Sequence, residues 1–171
     1  MFIRRALVWV SAGFAALLGP VGCSKQGAGY SPHVVVTPSS GEGSAREFLV
    51  TISPANDLEM AGLLVNSKPD GAPDGSNACY TLVNVTQGKF YLVKDPGAGS
   101  VAFTADSSAE NSQCSVRVLS ARRDAGKNLF EFRVAAQFKP TFGGGRSLFV
   151  AASDREGHNS LQQVGSWMVA P

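Results

Sequence analysis

Beyond residue 30 the chain alternates between apolar and polar positions. In REFLVTIS, residues 46–53, Phe48, Val50 and Ile52 point one way while Glu47, Thr51 and Ser53 point the other, the period of a strand with one buried face. NLFEFRVAAQF, residues 128–138, is the clearest case. Phe130, Phe132, Val134, Ala136 and Phe138 alternate with Leu129, Glu131, Arg133, Ala135 and Gln137. A helix would spread those phenylalanines around its axis, whereas a strand collects them on one core face. Further strands are predicted at HVVVT, AGLLVN, ACYTLVN, FYLV, SVRVLS, SLFVAAS and SWMVA. Between them stand turn-forming stretches: PAND, SKPDGAPDGSN, TQGK, DPGAGS, RRDAGK, TFGGG and DREGHN. With no convincing amphipathic helix, about seven to nine short strands predict an all-β antiparallel sandwich.

The first residues follow another pattern. Arg4 and Arg5 precede an uncharged apolar run, ALVWVSAGFAALL, from Ala6 to Leu18. A run of about 13 residues has the length of a signal-peptide core and falls short of the roughly 20 needed to span a bilayer as a helix. The expected organisation is a signal peptide over 1–22, a flexible tether over 23–42 and one sandwich domain over 43–171. Without Arg4 and Arg5 the basic and acidic residues balance at 13 each. A neutral chain with no basic stripe gives no footing for nucleic acid, which requires clustered Lys and Arg. Arg122 and Arg123, beside Asp124, Gly126 and Lys127, read as a solvated turn.

There are three cysteines. Cys79 and Cys114 form an even pair in a chain read as exported, so a disulfide between them is expected. Neither sits in a CxxC pair and the two histidines, His33 and His158, are distant in sequence, which argues against zinc. Cys23 is left over. Its surroundings, PVGCS, resemble a bacterial lipobox, with the small pair Val21 and Gly22 before the cysteine and Pro20 where that pattern usually has Leu. The resemblance implies diacylation of Cys23 and attachment to a membrane through that lipid. It also implies an outer-membrane or cell-surface location, with periplasmic or secreted as the alternatives. Ser24 is compatible with outer-membrane sorting. The polar stretch SKQGAGYSPH after Cys23 suits a tether.

NACYTLVN, GKFYLVKDPGAGS, NSQCSV, FEFRVAAQFKPTFGGGRSLFVAASDREG and VGSWMV together resemble an immunoglobulin-like sandwich domain of bacterial exported and surface proteins, over about residues 45–170. The resemblance implies a fold and an extracytoplasmic setting; fold alone supplies no function. The chain departs from antibody-type domains, because Cys79 and Cys114 are closer in sequence than the usual inter-sheet pair and no Trp lies between them.

Catalytic motifs are sparse. No GxSxG occurs, and PSSGEGS, containing Ser39, Ser40 and Ser44, reads as linker. GGGRS at 143–147 feeds a strand rather than the helix of a phosphate loop, and reads as a glycine-rich turn. Asp154 and Glu156 flank a hairpin tip, where Asp serves turn geometry, and His158 has no candidate nucleophile beside it. Asp70, Asp74 and Asn77 make an acidic loop with the oxygen ligands calcium takes, yet without EF-hand spacing, and a solvated turn is the simpler reading. Trp167, on an apolar closing strand, is expected in the core. Tyr80 and Tyr91 are the candidate platforms for a sugar ring, with their wet face undetermined. The expectation is a non-catalytic module without cofactor, acting as a structural or adhesion-type domain toward an envelope protein; a carbohydrate-binding module is the alternative. An exposed aromatic row beside a shallow groove would favour sugar, and a long open strand edge would favour protein.

Overall fold

A computed structural model describes residues 30–66, 77–94 and 99–171. The segment expected to be a signal peptide, Cys23, Asp70 and Asp74 lie outside these residues. Twelve strands follow in order: β1 His33–Thr37, β2 Ser40–Glu42, β3 Ala45–Ser53, β4 Leu58–Asn66, β5 Cys79–Asn84, β6 Lys89–Val93, β7 Ser100–Phe103, β8 Ser108–Glu110, β9 Cys114–Asp124, β10 Leu129–Phe138, β11 Gly144–Asp154 and β12 Asn159–Val169. The nine strands read from the alternation are present. The other three, β2, β7 and β8, have three or four residues, too few to show a period. A single 3-10 turn, Pro140–Phe142, interrupts the described strands.

Two sheets face each other. One has the order β1-β3-β10-β9-β8, the other β2-β12-β11-β4-β5-β6-β7. All pairings are antiparallel except β2 on β12. Taking β1 and β2 as one split first strand, the first sheet follows the A, B, E, D order of an immunoglobulin sandwich. The second follows G, F, C, C′, C″, the variable-type arrangement, with β8 and β7 added at the edges. The alternating residues of β3 and β10 fill the interior: Phe48, Val50, Ile52, Phe130, Phe132 and Val134 are buried against Leu63, Val65, Val83, Leu148 and Val150 of the facing sheet.

Trp167 is in this core, 3% exposed, edge-on to Phe48 with ring centroids 5.4 Å apart. Its Nε1 donates to the Gly43 carbonyl at 2.9 Å, which ties the closing strand to PSSGEGS. That segment is therefore not a linker: Ser40, Gly41 and Glu42 run parallel to Ser166, Trp167 and Met168. The tether expected over 23–42 is corrected in the same way. Tyr30 and Val34 pack against the core, and β1 pairs along its whole length with β3, so residues 30–42 belong to the sandwich. Serine and glycine there permit close approach of backbone to backbone, which composition alone reads as flexibility.

Arg122 and Arg123 are likewise not a turn. They lie in β9, opposite Glu131 and Phe130; Arg122 bonds the Glu131 carboxylate at 2.7 Å, and Arg123 donates to the carbonyls of Asn56 and Leu58. The turn falls just after them, where Asp124 accepts from the Lys127 N–H. The glycines of GGGRS also differ from expectation: Gly144 and Gly145 already belong to β11, and Arg146 donates back to the Phe142 and Gly143 carbonyls.

The Cys79–Cys114 disulfide is present, with Cα atoms 5.7 Å apart. It joins the first residue of β5 in one sheet to the first residue of β9 in the other, so it crosses the sandwich despite the short spacing. The reason is topological. Only the flanking strands β6, β7 and β8 separate the two cysteines, and the chain changes sheet between β7 and β8.

Candidate functional site

The strands leave two broad faces, one on the outside of each sheet. On the seven-stranded sheet the register aligns Leu161, Ala151, Gly62, Leu82, Tyr91 and Ala102 across six strands. The adjacent row holds Gln163, Phe149, Leu64 and Tyr80. A sheet with one solvated face carries polar residues there; this one is apolar through its centre. Leu64, Ala78 and Phe149 form a second buried cluster under Tyr80, separate from the main core.

A groove of about 300 Å³ runs over β4, lined by Met60, Tyr80, Leu82, Ala151 and Leu161 among others. Gly62 makes it possible. A Cβ there would come within 2.8 Å of Leu82 Cδ2 and 3.0 Å of Tyr80 Cε2, so the absent side chain lets both residues fold across the strand. Desolvation in this setting pushes the Tyr80 hydroxyl above its ordinary pKa. Leu161, 43% exposed, stands at the groove's rim.

The outside of the five-stranded sheet is different. A wide trough of about 1000 Å³ crosses from Thr37 and Pro38 to Asp106 and Ser108, over β3, β10 and β9. One row reads Glu47, Ala135, Arg117 and Ser108. Arg133 sits 3.9 Å from Glu47, both about half exposed. Beyond Arg117, β9 has no strand on its outer side from 118 to 124 among the described residues.

At the β11–β12 turn, His158 Nδ1 lies 2.9 Å from Asp154 Oδ2, while Asp154 Oδ1 accepts from the Glu156 and His158 N–H groups. Partial burial draws the Asp154 carboxyl upward, but the hydrogen bonds from His158 and the Glu156 N–H outweigh it and hold the pKa below its ordinary value. The same bond, with the charge of Asp154, raises His158. Asp154 thus shapes the turn, as its position in the sequence suggests.

Of the residues singled out from the sequence, Tyr80 and Tyr91 come together on the outer face of the seven-stranded sheet, each half-buried. Asn77 is exposed and has φ +50°, a turn conformation. Among the described residues no group of three or more His, Cys, Asp or Glu is placed to hold a metal ion, and no helix is long and apolar enough to cross a membrane. Met60, Gly62, Leu82 and Leu161 were not singled out from the sequence. The available signal was the unbroken run GLLV within β4: a strand buried on one side alternates, and one covered on both does not.

The architecture defines an all-β, variable-type immunoglobulin-like sandwich with an inter-sheet disulfide, a bond that fits an oxidising compartment. No family model matches the chain, and no curated protein matches it. Twenty-seven chains of solved structures match. One is a structure of murine CRIg, 10% identical, covering 82% of this chain and 99% of its own, with a TM-score of 0.35.

Proposed function

We propose that the protein is a non-catalytic exported module, anchored through a lipid on Cys23, which binds an envelope protein with the outer face of its seven-stranded sheet. The observation that carries this reading is the apolar row through Leu161, Ala151, Gly62 and Leu82 with the groove above it. Contiguous apolar surface on the solvent side of a sheet marks an interaction site. An apolar patch with an aromatic residue and a polar margin, here Asn84, Lys89 and Asn159, has the anatomy of a protein interface. The middle of the groove, lined by Met60, Leu82 and Ala151, is apolar, with Tyr80, Ser153, Asn159 and Ser160 supplying the polar groups around it.

The test is site-specific photo-crosslinking in the native cell, with the cross-linker in place of Leu161. A discrete protein adduct is expected, and it disappears when Leu82→Asp is added. An adduct that persists in Leu82→Asp, or none at all, rules out this face. Fractionating the same cells checks the anchor: Cys23→Ser moves the protein from the detergent phase to the aqueous phase, and unchanged partitioning rules the lipid out.

A further inference from the structure

The trough on the opposite sheet invites a different ligand. Arg117 lies on its floor with no hydrogen-bond or ion-pair partner among the described residues, and Ala135 beside it leaves the floor low between Arg117 and the Glu47–Arg133 pair. The hydroxyls of Ser108 and Ser115 and the amide of Gln137 line the same surface. These three side chains also have no hydrogen-bond partner among the described residues. Two guanidiniums, Arg117 and Arg133, share the trough with the carboxylates of Glu47 and Asp106. Arg133 is taken up by Glu47 at 3.9 Å, whereas Arg117 has no such pair among the described residues, and the Arg46 guanidinium lies instead over the Trp167 ring.

We infer that this trough binds an acidic saccharide, with the Arg117 guanidinium forking onto a sugar carboxylate and the hydroxyl and amide side chains meeting the ring hydroxyls. A planar guanidinium matches a carboxylate with two parallel hydrogen bonds, which a Lys could not supply. The direction of the trough favours a saccharide over a peptide. It runs across β3, β10 and β9, whose backbone groups are engaged in their own ladder, so an extended peptide lying there cannot gain main-chain hydrogen bonds by joining the sheet. Neighbouring strands stand about 4.8 Å apart, close to the length of one hexose, so successive sugars of a linear chain fall over successive strands. This ligand is independent of the protein partner proposed for the other sheet.

The experiment is calorimetric titration of the full chain in detergent micelles with a galacturonic acid oligosaccharide, its methyl ester and a polyglutamate peptide. The acid oligosaccharide is expected to bind saturably and the ester far more weakly. Arg117→Gln should weaken binding roughly tenfold or more, the loss of a charge-assisted hydrogen bond, with Arg117→Lys intermediate. Arg117 is exposed, so the fold should survive these changes, which circular dichroism checks. Arg155→Gln, on an exposed turn outside the trough, should bind as the parent does. No saturable binding, equal binding of acid and ester, or indifference to Arg117→Gln each overturns the inference. Equal binding of polyglutamate also overturns it, because the trough would then be a surface for acidic peptides.

Discussion

His158 and Asp154 show how much one turn asks of two side chains. Asp154 organises the backbone by accepting from two N–H groups, and His158 closes over it at 2.9 Å. The pH dependence follows from the two shifts. Because the folded His158 pKa is raised, its contribution is complete below the ordinary value of about 6.5 and is lost as pH rises through the folded value. Because the folded Asp154 pKa is lowered, its contribution is complete above about 3.9 and is lost as pH falls through the folded value. The turn is therefore best held between these two ordinary values. In Asp154→Asn the His158 titration midpoint, followed by NMR, should fall back toward 6.5; an unchanged midpoint would mean that the carboxylate does not set it. The turn itself was legible in DREGHN. The pairing was not, because it depends on where the imidazole points.

At the level of elements, β2 is the instructive strand, since nothing in SGE resembles one. It exists because two glycines let backbone approach closely. Gly165 of β12 faces the Ser39 carbonyl where any Cβ would collide, and Ser166 N–H bonds that carbonyl at 2.9 Å. Gly41, at φ +148°, lies where a Cβ would come within 2.5 Å of the Trp167 ring. Gly41→Ala should consequently cost about 1 to 3 kcal/mol through overpacking against a buried ring, read as a lower urea midpoint with unchanged slope. A neutral result would show that β2 shifts freely on its neighbour. On the other sheet, β9 extends beyond β8 as an open edge, and Arg123 points inward there, bonding the Asn56 carbonyl of the β3–β4 connection and the Leu58 carbonyl at the start of β4. An inward-pointing charge at an edge discourages pairing with another chain. That distinguishes this edge from the apolar face, where no such charge interrupts the central row.

For the molecule as a whole, the disulfide is the cross-brace. It links β5 to β9 on one flank of the sandwich, while β3, β10, β4 and β11 hold the sheets together at the centre through apolar packing. Closing a loop with a sequence separation of 35 residues should stabilise the fold by about 3 to 4 kcal/mol in the chain-entropy account. The double variant Cys79→Ala, Cys114→Ala should unfold at correspondingly lower urea, and the same midpoint as the parent would show that the core suffices alone. Its two outer faces then differ in chemistry: apolar on the seven-stranded sheet, charged and hydroxylated on the five-stranded one. The two proposals divide along these faces, a protein on the apolar one and an acidic saccharide on the charged one.

By itself the sequence determined the class of fold, the nine longer strands and the cysteine pair. These rest on local period and on counting, and a period of two survives in any packing that buries one face. Tertiary structure alone decided that SGE within PSSGEGS is a strand, that the disulfide crosses between sheets and that Tyr80 and Tyr91 share an outer face. It also placed Arg117 and Arg133 over one trough. Each of these depends on residues far apart in the chain meeting across neighbouring strands. That register is set by the turns, the bulges and the whole core together, so no local pattern encodes it.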